Sequence, residues 1–349
     1  MSRPRLSRLL APAALALFAP AAPGLTIQIN AGSGLAGNAP ALAAFQRAAQ
    51  HWSDRLTDAI TVNVDADLAA LGSGVIGSAG SSILYGDDYA EMRDALVREA
   101  ALDADDAITA ALPTFAQLSV NLPAGRTVDD TLAATKANVK AIVVDDPLSP
   151  YTPALIDSLF GATDATITFS SNFSFDFDRS DGITPGTMDF ETVAAHEIGH
   201  ALGFISAVDD IDTSTSATLP VVALTLLDLY RFRVPDDVPG SASAFTTATR
   251  SAIPGEAAAF SDTVNLWSFA TGQNGGDGNQ ASHWKDDSLT FSFIGLLDPT
   301  LPFGAIEDPT EADFRALDLI GWNVTPVPEP ALCSLLAAAA VLGLRRRRA

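Results

Sequence analysis

Apolar side chains recur along this chain with two periods. From Pro40 to Leu56, the residues Phe45, Ala48, Trp52 and Leu56 fall at helical spacing and predict an amphipathic helix. Ile60, Val62 and Val64 then alternate with Thr61 and Asn63, the period of a strand. Gly72 to Ser82 reads as a Gly/Ser loop, Asp87 to Leu102 as a helix and Lys140 to Asp146 as a strand. Two alternating runs, Ile167 with Phe169 and then Phe173, Phe175 and Phe177, predict an edge strand or hairpin over Ala165 to Asp178. A helix over about Phe190 to Leu202 follows, with Asp189 as its N-cap and Gly203 just past its end. Thr310 to Asp313 is a capping-box-like start for a last helix that packs Phe314, Leu317 and Ile320 inward. Helices and strands mix without an internal repeat, which predicts the α+β class.

Charge narrows the function. The 349 residues include 42 acidic and 20 basic side chains, and seven of the basic ones sit at the extreme ends. Without those seven and Glu329, 13 basic residues face 41 acidic ones, a net charge of −28. Such a body repels phosphate backbones, which excludes nucleic acid as a partner. The single cysteine, Cys333, lies in an apolar tail, so the body has no disulfide and no thiolate metal site.

The two ends read as addresses. Met1 to Arg8 carries three arginines, Leu9 to Phe18 is apolar, and Ala19-Pro20-Ala21 offers small residues for cleavage; residues 1–22 thus form a secretory signal. At the other end, Pro328-Glu329-Pro330 precedes an uncharged run from Ala331 to Leu344 and four arginines. Fourteen helical residues reach roughly 21 Å, short of the ~30 Å hydrocarbon core. This order resembles the PEP-CTERM sorting signal of Gram-negative bacteria. The resemblance implies an exosortase-type partner for residues 325–349, a transient stay in the inner membrane, and release to the cell surface or beyond. The competing reading is an ordinary tail anchor held by positive-inside arginines.

The central helix contains His196-Glu197-Ile198-Gly199-His200. Residues four apart are about 40° apart around a helix, so both imidazoles face one point. Glu197 lies about 100° from His196, near that point without ligating there. The arrangement suits a metal-activated water and a carboxylate that deprotonates it. The string from His196 to Phe204 resembles the zinc helix of metzincin endopeptidases. Those enzymes place a third ligand three residues beyond the glycine; here that residue is Ser206, a poor zinc ligand. Only His51 and His283 remain. His51 sits in the first predicted helix and reads as a surface or interface histidine. His283 lies in Ser282-His283-Trp284, which resembles the distant ligand of leishmanolysin-type metalloproteases. Where those proteins carry a turn methionine, Gly295 to Thr300 has Leu297, which can serve as an apolar floor.

The closer resemblance is to PEP-CTERM-tagged bacterial metalloproteases of this kind, over roughly Phe173 to Trp322. It rests on the zinc helix, Leu227 to Tyr230, the Ser-His-Trp stretch and the closing Asp318 to Trp322. It implies a metzincin-like two-lobed zinc protease with a twisted mixed sheet. Residues 23–204 would form the N-terminal lobe with the zinc helix, and 205–324 the lobe with the third ligand and turn. One catalytic Zn²⁺ on His196, His200 and His283, Glu197 as general base, and a protein or peptide substrate laid along Ala165–Asp178 complete that expectation. Asp209, Asp210 and Asp228 stay open as alternatives to His283. Asp176, Asp178, Ser180 and Asp181 offer a weak calcium candidate whose spacing misses the EF-hand pattern. The rival class is a non-catalytic surface or matrix protein on a metal-stabilised protease fold; the departures at Ser206 and Leu297 motivate it, and an intact Glu197 opposes it.

Overall fold

The computed structural model describes residues 24–72 and 75–325. The segments expected to be a secretory signal (residues 1–22) and a sorting tail (residues 325–349, apart from Thr325), with Cys333, lie outside the described residues.

Alternating burial in β2 (Thr61–Ala69) sets the central layer: Val62, Val64 and Ala66 point into the core while Thr61, Asn63 and Asp65 turn outward. Around it forms a four-stranded sheet ordered β1 (Thr26–Ala31), β2, β4 (Ala165–Ser170) and β3 (Gly77–Ser81). The first three strands run parallel, and β3 is antiparallel at the edge. Helix α1 (Ala39–Ser53) starts where the Asn38 side chain accepts the Ala41 N–H at 3.2 Å, with Pro40 in its first turn. It packs beside α2 (Phe190–Leu202), and the Trp52 indole N–H locks the pair by donating to the Ala195 carbonyl at 2.9 Å. Phe169 of β4 meets Phe45 and Phe190 at ring distances of 5.3 and 4.6 Å, which joins sheet to helices.

Helices α3 (Ala207–Thr213) and α4 (Glu311–Asp318) follow α2, while a three-stranded sheet (Val221–Thr225, Thr127–Thr135, Ile83–Tyr85) and a five-stranded sheet of short segments draw strands from both sides of it in sequence. One apolar cluster runs from Leu25 to Trp322 through both halves of the chain. The class is α+β. Among the described residues, no helix is long and apolar enough to cross a membrane.

Three local expectations are corrected. Lys140 to Asp146 is not a strand but the end of a helix, Lys136–Asp145, capped by Thr135. Helical spacing brings the Nζ atoms of Lys136 and Lys140 to the same two carboxylates, Asp157 and Asp164, at 2.9–3.2 Å. That buried cluster outweighs the strand preference of Ile142, Val143 and Val144. Gly72 to Ser82 contains strand β3. Finally, Ala165–Ser170 is an inner strand between β2 and β3, and only Phe175–Asp176 continues the run, paired with Met188–Asp189.

A set of buried acids lies between the first helices and α4. Asn323 bridges Asp58 and Asp145, donating at 3.2 and 2.8 Å, while Arg315 reaches Asp106 and Asp318 at 2.8 and 2.6 Å. Glu99 is buried with both carboxyl oxygens lacking a partner. Burial pushes Asp58 up to about 7 and Glu99 and Asp318 up to about 8. Their unfolded values are near 4, so the folded chain holds extra protons across the interval between. Stability is therefore full below about pH 4 as far as these groups go, and it is lost as pH rises toward 8. We predict that the melting temperature falls between pH 5 and 8. Each of the three groups contributes a slope of about 1.4 kcal/mol per pH unit at most, and Glu99→Gln should remove its share, about one third of the total. Thermal melts of both proteins at pH 5, 6.5 and 8 check this; a flat parent profile refutes it.

Candidate metal centre

Helix α2 begins with the Asp189 carboxylate accepting the N–H groups of Glu191 and Thr192 at 3.3 and 3.2 Å. It ends at Gly203, whose φ of 124° is open to glycine and strained for other residues. One face carries His196 and His200. The loop before α4 brings in His283, so that the three Nε2 atoms lie 3.1, 3.1 and 3.2 Å apart.

The other ring nitrogen of each histidine faces a backbone carbonyl. His196 Nδ1 lies 2.8 Å from Leu296 O, His200 Nδ1 2.8 Å from Phe204 O, and His283 Nδ1 3.1 Å from Gln280 O. A carbonyl only accepts, so each Nδ1 carries the proton and each Nε2 presents a lone pair. Three lone pairs this close repel unless a proton or cation sits among them. Burial opposes the proton: it lowers all three imidazoles, His196 to about 3. Neutral imidazole is the ligand form. Four-coordinate zinc with bonds of about 2.0–2.1 Å spaces its nitrogen ligands by roughly 3.3 Å. The triangle found here fits that spacing within a few tenths of an ångström.

Glu197 stands beside the triangle at the wall of a cavity of about 510 Å³ that His196, His200 and His283 also line. Burial pushes its carboxyl up to about 7, opposed by the Ala79 N–H that it accepts. A Cβ on Gly77 would lie 2.8 Å from Glu197 Oε1, so this approach of β3 to the carboxylate needs glycine there. A second cavity of about 330 Å³ is also lined by Glu197, with His196 and His283.

The floor is apolar. Leu297 is fully buried, and its methyl groups lie against Gly199, between the two helix histidines. The turn carrying it hangs from Asp313, a fully buried carboxylate. Asp313 accepts the N–H groups of Leu296 at 2.8 Å and Leu297 at 3.2 Å, and the Trp284 indole N–H at 2.7 Å.

The remaining sequence candidates lie elsewhere. His51 sits 2.8 Å from Glu191 and 2.6 Å from Arg179, in a charged cluster at the start of α2. Asp228 accepts the Ser206 hydroxyl at 2.6 Å and the N–H groups of Ala207 and Thr225, both at 2.9 Å. Ser206 is thus the N-cap of α3, which explains the serine at the compact ligand position. Asp209 accepts backbone N–H groups before His283, and Asp210 lines the larger cavity. Asp176 and Asp178 fasten their own loop, accepting the hydroxyls of Thr184 and Ser180, both at 2.7 Å. Sequence reasoning missed Gly77, and it singled out Asp209 and Asp313 for other roles: Asp209 as a candidate ligand, Asp313 as part of the capping box of helix α4.

No protein-family model, curated protein or solved structure matches the chain.

Two outcomes follow for binding and stability. His283→Ala should lower zinc affinity by at least about 100-fold, whereas His51→Ala should leave it within about twofold; competition with a chromophoric chelator measures both. Equal retention would remove His283 from the centre. Asp313→Ala leaves three buried N–H groups without an acceptor and should cost about 3 kcal/mol or more in urea unfolding of the metal-free chain. A loss below about 1 kcal/mol would contradict the anchoring role.

Proposed function

We propose that this chain is a zinc-dependent endopeptidase of metzincin-like, leishmanolysin-type architecture, exported through its N-terminal signal and sorted by its tail. The observation that carries the reading is the convergence of three Nε2 lone pairs beside a buried carboxylate at the wall of an open cleft.

His196, His200 and His283 would hold the zinc ion, which supplies Lewis acidity toward a water and a substrate carbonyl. The chain's own residues do the rest. Glu197, buried at the cleft wall beside the three ligands, is placed to take a proton and to return it. Its Oε atoms would accept a proton from the water whose oxygen bonds to the carbonyl carbon, and then hand that proton to the amine nitrogen as the C–N bond breaks. The Nδ1–H bonds to backbone carbonyls hold the imidazoles in place during that exchange.

Substrate placement is corrected from the sequence expectation, because Ala165–Ser170 is an inner strand. The available edge is β3. Gly77, Ser78, Ala79 and Ser81 line the cavity, and among the described residues no strand pairs along the outer side of β3. An extended peptide added to this edge passes Glu197 and donates and accepts main-chain hydrogen bonds without needing a particular sequence. The small side chains of β3 leave room for it.

Glu197→Gln keeps the three ligands and deletes the proton acceptor. Zinc content should stay equal to that of the parent while digestion of a casein-type substrate falls by about 10²–10⁴-fold. A variant that digests as fast as the parent would overturn the mechanism, and a zinc-loaded parent that digests nothing would favour the non-catalytic class.

A further inference from the structure

The loop from Gly272 to Ser282 leads directly into His283 and is built of Gly, Asn, Asp, Gln, Ala and Ser. Four of its residues are glycine, the residue type that loses most conformational freedom on ordering. Nothing apolar in the stretch except Ala281 can anchor it to the core. A histidine at the end of such a loop is a weak ligand unless something else fixes the backbone.

Asp277 fastens the middle of the loop by accepting the N–H groups of Thr271 and Asn279, and helix α3 holds its two ends. Asp209 and Asp212 are one turn apart and face the loop together. Asp209 accepts the Ala281 N–H at 2.5 Å with one oxygen and the Ser282 N–H at 3.2 Å with the other. Asp212 accepts the N–H groups of Asn274 and Gly275, both at 2.7 Å. The Asn274 amide returns a bond to the Asp212 carbonyl at 3.3 Å. Two carboxylates thus hold four backbone donors at both ends of the loop. With the loop fixed, the Gln280 carbonyl stays within reach of His283 Nδ1 and turns Nε2 toward the other two imidazoles.

We infer that Asp209 and Asp212 are positioning residues for His283, so that the affinity of the centre for a divalent cation depends on α3. This rests on the metal-centre reading. Ser206 belongs to the same device: by capping α3 it starts the helix whose next turns carry both clamps.

The experiment measures Zn²⁺ affinity by chelator competition and the visible absorption of the Co²⁺ form, on the full chain. Asp209→Asn should weaken zinc binding about 10- to 100-fold and alter the Co²⁺ band, with a smaller loss in the same direction for Asp212→Asn. A double-mutant cycle separates positioning from a general loss of fold. In a His283→Ala chain, Asp209→Asn should cost no further affinity, because the ligand that it positions is gone. Should Asp209→Asn fail to fold, the same cycle runs on the more peripheral Asp212→Asn. Parent-like affinity in the variants, or an equal loss with and without His283, overturns the inference. A parent that takes up neither Zn²⁺ nor Co²⁺ overturns the metal-centre reading and this inference with it; a parent that binds metal yet digests nothing leaves both standing and removes only the protease activity.

Discussion

Asp313 accepts five donors inside the core: the Trp284 indole, the N–H groups of Leu296, Leu297 and Thr310, and the Thr310 hydroxyl. Through Leu296 it fixes the carbonyl that receives His196 Nδ1, and through Leu297 it fixes the carbonyl that receives the Trp284 N–H. Trp284 is the neighbour of His283. Two of the three imidazoles, on segments 87 residues apart, are therefore oriented through one carboxylate. Burial raises the free energy of that charge, and five donors offset it. The arrangement is all-or-none, because losing the acceptor strands several buried N–H groups at once.

The centre also depends on electrostatics that act in opposite directions within a short distance. The body is strongly acidic, yet its imidazoles are held neutral by burial, and no lysine or arginine lines either cavity beside Glu197. The cations that are buried are committed elsewhere. Lys136 and Lys140 meet Asp157 and Asp164, Arg315 meets Asp106, Asp262 and Asp318, and Arg231 binds carbonyls of Ala270 and Ala281. A positive ion arriving at the three Nε2 atoms meets acidic surroundings and no competing basic side chain, which favours its capture.

The sequence reads well where the governing interaction is local. Histidines four apart, the Asp189 cap, the Gly203 stop and the Thr310–Asp313 box are all settled within one or two helical turns, and each stands where its spacing places it. His283 was reached from the count of four histidines together with the resemblance of Ser282-His283-Trp284 to a distant ligand, and the structure ties His51 to Glu191 and Arg179. Strand β3 was unreadable for a physical reason. Gly-Ser-Ala-Gly-Ser has no alternating apolar side chains, and its extended form comes from pairing with β4 and from the space that Glu197 leaves beside Gly77. Lys136–Asp145 was misread because its β-branched run outweighed the two lysines, whose shared partners are 17 or more residues away. The inner place of β4 depends likewise on strands separated from it by about a hundred residues.

Ser206 and Leu297 look like defects when each is compared with a short motif, and each proves to have a partner. Ser206 bonds Asp228 and caps α3, and α3 grips the loop of the distant histidine. Leu297 is fully buried and fills the space against Gly199. Moving a ligand from three residues past the glycine to about eighty past it lengthens the closed loop greatly. Closure entropy grows only with the logarithm of length, so the added cost is modest. The larger demand is rigidity at the end of the loop, where an unfixed histidine would spend little time in ligand geometry. Backbone clamps meet that demand and add nothing to the ligand shell. Ser206, by capping α3, and Asp209 and Asp212, by holding the loop, thereby all serve the remote position of His283.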